Sequence, residues 1–178
     1  MVYILLADGF EEIEALAVAD ILRRASVDVQ LVSVSGNKAV CGAHNISVNT
    51  DIAVSDVKAD FDMVILPGGY PGYVNLQNSV AVKNIVELAL KNEKYIAAIC
   101  AAPSILGAWG ILKGKKAVCY PSFEEKLIDA QVGYDDVACD GRIITSRGAG
   151  TAHKFAFKLL ELLKDKNCAD EIAKAMIY

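Results

Sequence analysis

The sequence predicts an α/β fold in which a mainly parallel sheet lies between two layers of helices, with a β-hairpin inserted after the second strand. Short apolar segments rich in β-branched residues alternate with segments of helical periodicity. The first, third and fourth apolar segments are hydrophobic at nearly every position, as in strands that a parallel sheet buries on both faces. Right-handed crossovers between such strands place helices on both sides of the sheet.

Six segments have the composition of strands. Each is short, apolar and mostly β-branched, and helical patterns or turn residues separate one from the next. They are VYILLA (2–7), VDVQLVSVS (27–35), DMVILPGG (62–69), KYIAAIC (94–100), KAVCY (116–120) and GRIITS (141–146).

Helices are predicted between and after these strands. Residues 11–25 begin with acids and end with two arginines, which matches the helix dipole at both ends. Residues 82–89 and 156–163 each carry apolar side chains at positions i, i+3, i+4 and i+7, which form one stripe along a helix. Residues 168–178 have the pattern of a short helix. Residues 37–60 instead alternate polar and apolar side chains around turn residues, which predicts the inserted hairpin.

Composition and charge exclude several classes of function. The 178 residues, 54% of them hydrophobic, suit one domain over residues 1–178 with a sizeable core. A net charge of −4 without a concentrated basic face argues against nucleic-acid binding. No apolar stretch has the length of a membrane span or the basic leader of a signal peptide, so no membrane partner is expected.

The cysteines indicate a reducing compartment. There are five, an odd number, and no two of them form a C-x-x-C pair, which argues against a disulfide framework or a zinc knuckle. We therefore expect a cytoplasmic protein. The sequence offers no convincing set of metal ligands, and we expect no metal or organic cofactor.

Cys100 is the first candidate for a reactive residue. In an open parallel sheet, ligands bind beyond the carboxyl ends of the strands, and Cys100 lies where a predicted strand gives way to a helix. The N–H groups and dipole of that helix are expected to lower the pKa of the thiol. The small Ala101 and Ala102 permit the tight turn of a nucleophile elbow. The alternative is an inert thiol, because free cysteine is among the most buried residue types.

Glu14 is the second candidate. It shares the first helical turn with Glu11 and Glu12, and all three carboxylates could simply complement the helix dipole. If Glu14 instead points across the sheet edge toward Cys100, burial would raise its pKa. A protonated carboxyl in that place could donate a hydrogen bond to the thiolate or pass a proton to a substrate.

Backbone groups after two other strands are further candidates. Gly68 and Gly69 follow the third strand, and the amides of Gly69 and Ala101 are candidates for an oxyanion hole. An ordinary glycine turn would explain the same residues. The GAG at 148–150 precedes a helix and could hold an anion, but it lacks the dinucleotide-binding fingerprint.

Histidines are the usual partners of a cysteine nucleophile. The chain has two, His44 in the predicted hairpin and His153 in the first turn of a helix. Neither is adjacent to Cys100 in sequence. Either could be a surface residue, and folding could bring either near the thiol.

Four motifs together resemble one family over nearly the whole chain. They are LLADGFEEIEALAVADILRRA, VILPGG, AAICAAPSIL and ITSRGAGTA, and they occur in the family's order. On these motifs the sequence is identified as a member of the ThiJ/PfpI family, in the branch that contains the parkinsonism-associated deglycase. The resemblance implies a flavodoxin-like three-layer sandwich. It also implies a homodimer, in which the first helix and the hairpin commonly form the interface.

The resemblance implies roles for individual residues. Cys100 matches the family's nucleophilic, oxidation-prone cysteine, and Glu14 matches the carboxyl that hydrogen-bonds its sulfur. Gly69 and Ala101 match the backbone donors near that sulfur. Arg24 falls at a position where this branch often has an arginine close to the site.

Two positions depart from the family pattern. Tyr120 stands before Pro121 where many members have a histidine, and a phenol with a pKa of about 10 is a poor general base at neutral pH. Tyr120 can still hydrogen-bond a thiolate or an oxyanion, so a supporting role is expected. Ala101 stands where the protease-like branch has a histidine after its cysteine, which argues against peptidase activity.

Three hypotheses for the function follow. The first is a cofactor-independent cysteine enzyme that uses Cys100 and Glu14 to convert 2-oxoaldehydes such as methylglyoxal to hydroxy acids, or to remove their adducts from glycated side chains. The second is a redox-sensing, chaperone-like stress protein whose Cys100 is oxidised to a sulfinic acid. The third, with the least support, is a peptidase or amidase.

Overall fold

A seven-stranded sheet forms the centre of the computed structural model, which describes residues 1–178. Six of its strands are parallel and one edge strand is antiparallel. The remaining four strands form two small two-stranded sheets. In chain order the strands are β1 (Val2–Leu6), β2 (Val29–Ser33), β3 (Ala39–Cys41), β4 (Ser47–Asn49), β5 (Ile52–Ala53), β6 (Met63–Leu66), β7 (Tyr95–Ile99), β8 (Lys116–Ala117), β9 (Gln131–Val132), β10 (Val137–Asp140) and β11 (Ile143–Ser146).

The strand order in the main sheet is β10-β11-β7-β6-β1-β2-β5. The register places Ile4 beside Leu31 on one side and Ile65 on the other. Ile65 in turn lies beside Ala97, and Ala97 beside Ile144. These side chains form a buried row across one face of the sheet. Alternate residues such as Leu5 and Ile96 are buried on the other face, so the central strands are enclosed on both sides.

Six α-helices cover the two faces of the sheet. They are α1 (Glu12–Arg24), α2 (Gly72–Asn78), α3 (Val80–Lys91), α4 (Pro103–Ala108), α5 (Ala152–Leu163) and α6 (Lys166–Ala175). On one face, α1 and α5 bury apolar side chains such as Leu22 and Phe155 in a first core cluster. On the other face, α3 and α4 bury side chains such as Val86 and Ile105 in a second. None of the helices combines the length and apolar character that crossing a bilayer requires.

The predicted fold class is confirmed: the chain is a flavodoxin-like three-layer α/β sandwich with a mainly parallel sheet and an inserted β-hairpin. The hairpin consists of β3 and β4, which pair with Val40 opposite Val48. After the hairpin the chain returns to the main sheet as β5, beside β2.

Residues 116–120 differ from the prediction. Only Lys116 and Ala117 form a strand, and they pair with β9 in a small separate sheet. The next amide, that of Val118, donates a 2.9 Å hydrogen bond to the hydroxyl of Thr145, which takes the place of a ladder bond. The segment is therefore an extended loop that packs beside β11.

Candidate active site

Loops from four neighbouring strands meet at the carboxyl edge of the sheet. The loop after β1 contacts the loop after β6 through a 2.9 Å hydrogen bond from the amide of Glu11 to the carbonyl of Gly68. The end of β7 contacts the end of β11 through a 3.0 Å hydrogen bond from the amide of Cys100 to the carbonyl of Ser146. Because Gly68 also lies against Cys100, the loops after β1, β6, β7 and β11 form one continuous surface.

Cys100 lies at the turn between β7 and α4. Its φ of 65° is in the left-handed region, which costs a non-glycine residue about 1–3 kcal/mol. Two hydrogen bonds hold this turn. The amide of Cys100 donates to Ser146, and its carbonyl accepts a 2.8 Å bond from the amide of Tyr120. The turn has the form of a nucleophile elbow, and the cysteine is half-buried.

Glu14 points from the first turns of α1 into the same site. Its side chain is buried, with 1% of the residue exposed. Its Oε2 accepts a 2.8 Å hydrogen bond from the amide of Gly68, whereas its Oε1 is buried without any partner. Such burial distinguishes Glu14 from a surface carboxylate that only complements the helix dipole.

Gly68 and Gly69 allow the backbone to pass between Glu14 and Cys100. A Cβ built on Gly68 would lie 2.8 Å from Oε2 of Glu14 and 3.0 Å from Sγ of Cys100. Gly69 has a φ of 91°, and a Cβ there would clash with the amide nitrogen of Glu11. Both positions therefore require glycine.

Burial and mutual contact raise the pKa of both reactive groups. Burial raises the pKa of Glu14 to about 7, although hydrogen bonds from Gly68 and Cys100 act in the opposite direction. Burial, followed by the charge and hydrogen bond of Glu14, raises the pKa of the Cys100 thiol to about 12. The amides of Ala101 and Gly69 lower the pKa of the thiol, but by less.

The prediction of a lowered pKa for the Cys100 thiol is therefore wrong while Glu14 is ionised. The prediction relied on the dipole of the following helix. That helix, α4, has only six residues, and burial and the neighbouring carboxylate outweigh it.

Glu14 and Cys100 nevertheless form a pair that can exchange a proton. Because their pKa values are about 7 and about 12, the pair carries one proton between about pH 7 and about pH 12. When this proton lies on Glu14, the charge that raised the pKa of the thiol is gone and the carboxyl O–H can donate to sulfur. Proton transfer from Cys100 to Glu14 thus produces a thiolate beside a neutral acid.

Tyr120 borders the site together with Gly148. A Cβ built on Gly148 would lie 3.3 Å from Cδ2 of Tyr120 and 3.9 Å from Oε1 of Glu14. The residue Tyr120 is 49% exposed, so its ring also faces solvent. The sequence offered Gly148 only as part of an anion site, whereas the structure brings it against the ring of Tyr120.

Arg24 lies at the far end of α1 from Glu14 within this chain. It lies ten residues after Glu14 on α1, which is about 15 Å along the helix axis. Its Nε instead forms a 2.7 Å ion pair with Asp20. The helical rise therefore places Arg24 at the opposite end of α1 from the site.

The two histidines have other partners than Cys100. Nδ1 of His44 lies 2.8 Å from Oε2 of Glu12 and 3.7 Å from Oε2 of Glu11. The hydrogen bond to Glu12 and the charges of both glutamates raise the pKa of His44. The ring of His153 stacks on Tyr178 with a centroid distance of 5.8 Å.

Glu11, Glu12 and His44 are also residue types that bind metal ions. Their ligand atoms all lie within 4.8 Å of one another beside the first turn of α1. Within this cluster both carboxylate oxygens of Glu12 already have hydrogen-bond partners on His44. The ring of His44 contacts Oε2, and its amide donates a 2.7 Å hydrogen bond to Oε1. The cluster thus ties the hairpin to α1.

The fold and the site together define a class of protein: a flavodoxin-like α/β sandwich with a cysteine at a strand-to-helix turn and a buried carboxyl group beside its sulfur. The family model described as the DJ-1/PfpI family matches residues 1–162. The chain belongs to the DJ-1/PfpI family.

Relatives match nearly the whole chain. Protein dj-1beta of Drosophila melanogaster is 38% identical over 177 residues, which cover 98% of this chain and 95% of the relative. Protein DJ-1 homolog A of Arabidopsis thaliana is 41% identical to this chain, and the match covers 99% of this chain but only 46% of the plant protein. The chain therefore spans less than half of that plant protein. Among solved structures, oxidized Toxoplasma gondii DJ-1 has a TM-score of 0.96 at 36% identity, covering 99% of this chain and 97% of that one.

Two further relatives are named for activities. The glutathione-independent glyoxalase DJR-1.2 of Caenorhabditis elegans is 32% identical to this chain, and the match covers 93% of this chain and 89% of that relative. The deglycase PYRAB04690 of Pyrococcus abyssi is 35% identical to this chain, and the match covers 92% of this chain and 99% of that relative.

Proposed function

We propose that this chain is a cofactor-independent cysteine enzyme that acts on reactive 2-oxoaldehydes. It converts compounds such as methylglyoxal to 2-hydroxy acids, or removes their adducts from glycated side chains. The observation that carries the proposal is the contact of the buried Glu14 with Cys100 across Gly68. The names of the glyoxalase and deglycase relatives support the same class of substrate.

The first step is the activation of the thiol. Glu14 has a pKa of about 7, which suits a group that accepts and returns protons at neutral pH. It takes the proton of Cys100, and the thiolate attacks the aldehyde carbon. Glu14 then passes this proton to the resulting oxyanion, which gives a neutral hemithioacetal and leaves Glu14 ionised for the next step. The developing negative charge on the aldehyde oxygen is stabilised by the amides of Gly69 and Ala101, which face the sulfur.

The second step moves a hydrogen within the adduct. Glu14 removes the proton from the former aldehyde carbon and delivers one to the neighbouring ketone carbon by way of an enediol. The first carbon is oxidised and the second reduced, so no external oxidant or reductant is required. The product is a thioester of the 2-hydroxy acid on Cys100. Water cleaves this thioester, which releases the acid and restores the thiol.

Lactate production from methylglyoxal tests this proposal. The wild-type protein should form lactate, and Cys100→Ala and Glu14→Gln should each reduce the rate to the background. Cys139→Ala is the matched control, because Cys139 is a free, exposed thiol outside the site. Equal rates in all four proteins would refute the proposal.

A second candidate function is redox sensing at the same cysteine. The turn holds Cys100 half-exposed beside Glu14, which could hydrogen-bond a sulfinic acid, and no histidine base stands beside it. Intact-mass and peptide mass spectrometry after mild peroxide treatment tests this candidate. Cys100 should gain oxygen before the exposed Cys139. If Cys139 or another thiol reacts first, the candidate fails.

We also propose that two copies of the chain pair through α1 and the hairpin. Ile13 on α1 is 53% exposed and Ile46 in the hairpin is 54% exposed. Both flank the contact between Glu12 and His44 that joins the two elements. Burial of such side chains against a second copy would remove apolar surface from water.

A further inference from the structure

A strip of four aromatic rings adjoins the Cys100 site. The ring centroids of Tyr70 and Tyr73 are 6.5 Å apart, those of Tyr73 and Phe123 are 5.5 Å apart, and those of Phe123 and Tyr120 are 6.4 Å apart. We call these four residues the aromatic strip. They come from the loop after β6, from α2 and from the segment after β8, so only the fold brings them together.

Both ends of the aromatic strip are attached to the reactive site. At one end, the amide of Tyr120 donates to the carbonyl of Cys100, and its ring packs against Gly148 near Glu14. At the other end, Tyr70 directly follows Gly69, whose amide faces the sulfur. A group bonded to the sulfur therefore lies close to Tyr120, at one end of the aromatic strip.

The two end residues of the aromatic strip are exposed to solvent. Tyr70 is 76% exposed and Tyr120 is 49% exposed, and the other two rings are half-buried. By contrast, the aromatic side chains of Tyr3, Phe10, Phe61 and Phe155 are less than 2% exposed. Exposed apolar side chains grouped beside a site are typical of a surface that binds a ligand.

A cation lies over the middle of the aromatic strip. Nζ of Lys126 is 4.2 Å from the ring centroid of Phe123 and 5.9 Å from that of Tyr73. Lys126 forms no ion pair with a carboxylate. The strip therefore offers aromatic surface together with an uncompensated positive charge.

We propose that the aromatic strip binds the substituent of the substrate, and that the site selects 2-oxoaldehydes that carry an aromatic ring over methylglyoxal. Phenylglyoxal is the simplest such compound. This inference rests on the proposed function for the identity of the reacting group. The selection itself comes from ring-to-ring contact and from removal of apolar surface from water, both of which a methyl substituent largely lacks.

The first experiment compares kcat/KM for phenylglyoxal and methylglyoxal. We expect the ratio of the two values to fall about tenfold in Tyr70→Ala and in Phe123→Leu, which is the scale of one aromatic contact. Tyr178→Ala is the control, because Tyr178 is an exposed tyrosine outside the strip, and its ratio should equal that of the wild type. An unchanged ratio in both strip variants, with methylglyoxal still consumed, would overturn the inference and leave the proposed function standing.

A second experiment does not depend on turnover. Alkylation of Cys100 by N-benzyl-iodoacetamide and by iodoacetamide is followed by peptide mass spectrometry, and each rate is divided by the rate for free cysteine. In the wild type, the normalised rate for the benzyl reagent should be about tenfold higher than that for iodoacetamide. In the strip variants, the two normalised rates should be nearly equal. No benzyl preference in the wild type would overturn the inference even if no 2-oxoaldehyde were consumed. Circular dichroism of each variant shows whether it folds.

Discussion

The carboxyl group of Glu14 and the thiol of Cys100 face each other across Gly68, whose missing side chain leaves the space between them. The strand order explains this contact. Glu14 follows β1 and Cys100 follows β7, while Gly68 follows β6, which lies between those two strands. The meeting of acid and thiol is thus a direct result of the sheet topology.

The reactivity of Cys100 should depend on pH through Glu14. In the wild type the thiol pKa of about 12 keeps Cys100 protonated at neutral pH, so we expect slow alkylation whose rate rises only in alkaline solution. Glu14→Gln removes the carboxylate charge, which after burial is the second cause of this raised pKa. The thiol pKa should therefore fall in Glu14→Gln, and the alkylation rate at neutral pH should rise by about tenfold or more.

Peptide mass spectrometry after timed iodoacetamide labelling measures this effect at Cys100 alone. Glu125→Gln is the control, since Glu125 is exposed and forms no ion pair, and its profile should match the wild type. Identical profiles for the wild type and Glu14→Gln would show that the charge of Glu14 does not raise the pKa of the thiol.

Gly68→Ala should disrupt the site and destabilise the fold. Its new Cβ would lie 2.6 Å from Cβ of Cys100, so the thiol or the backbone must shift, which costs about 1–3 kcal/mol in a packed interior. Urea unfolding measures the loss, and iodoacetamide labelling measures the change at Cys100. Gly150→Ala is the matched control, because a Cβ there meets open space. Equal stability of the two variants would contradict the described packing.

Stability should fall with rising pH because of Glu14. Its pKa is raised in the folded state from 4.5 to about 7, so the folded protein holds the proton more tightly than the unfolded chain does. This contribution to stability is fully present below pH 4.5 and is lost as the pH rises through about 7. Relative to Glu14→Gln, the wild type should lose on the order of 3 kcal/mol of unfolding free energy across this range.

Urea unfolding of both proteins at pH 5 and at pH 8 measures this loss. The comparison with Glu14→Gln removes the contributions of the other titrating groups, which the two proteins share. A difference in unfolding free energy that does not change with pH would mean that Glu14 keeps its ordinary pKa in the folded protein.

Association through α1 and the hairpin should be sensitive to charge. Ile13→Glu places a carboxylate in the exposed apolar face, where burial against a second copy would be costly, so we expect it to convert a dimer to a monomer. Sedimentation velocity measures the mass. Ile177→Glu is the control, because Ile177 is 96% exposed and lies outside this face. A monomeric wild type, or an unchanged dimer in Ile13→Glu, would refute the pairing.

Local sequence patterns were sufficient to predict the central strands and the principal helices. Apolar runs identified β1, β6 and β7, helical periodicity identified α3 and α5, and the charges at its two ends identified α1. By contrast, α2 was missed because it buries only Gly72 and Leu76 and so has little periodic signal. The edge strand β10 was missed because none of its four residues is fully buried.

The remaining features of the site depend on contacts between distant segments. The position of Cys100 followed from one strand and one turn, but the pKa of its thiol depends on burial and on the charge of Glu14. The place of Arg24 depends on how far α1 extends past the site. The aromatic strip takes its rings from two distant stretches of chain, 70–73 and 120–123, so no local pattern in the sequence could reveal it.

The left-handed backbone of Cys100 has a consequence for how the site works. Ser146 and Tyr120 hold this conformation by hydrogen bonds within the protein, without any contribution from a ligand. The orientation of the sulfur is thus fixed while the protein folds, and substrate binding need not supply free energy to create it. The left-handed conformation of this one residue lowers the stability of the protein, and it also keeps the attacking atom preorganised before each encounter with a substrate.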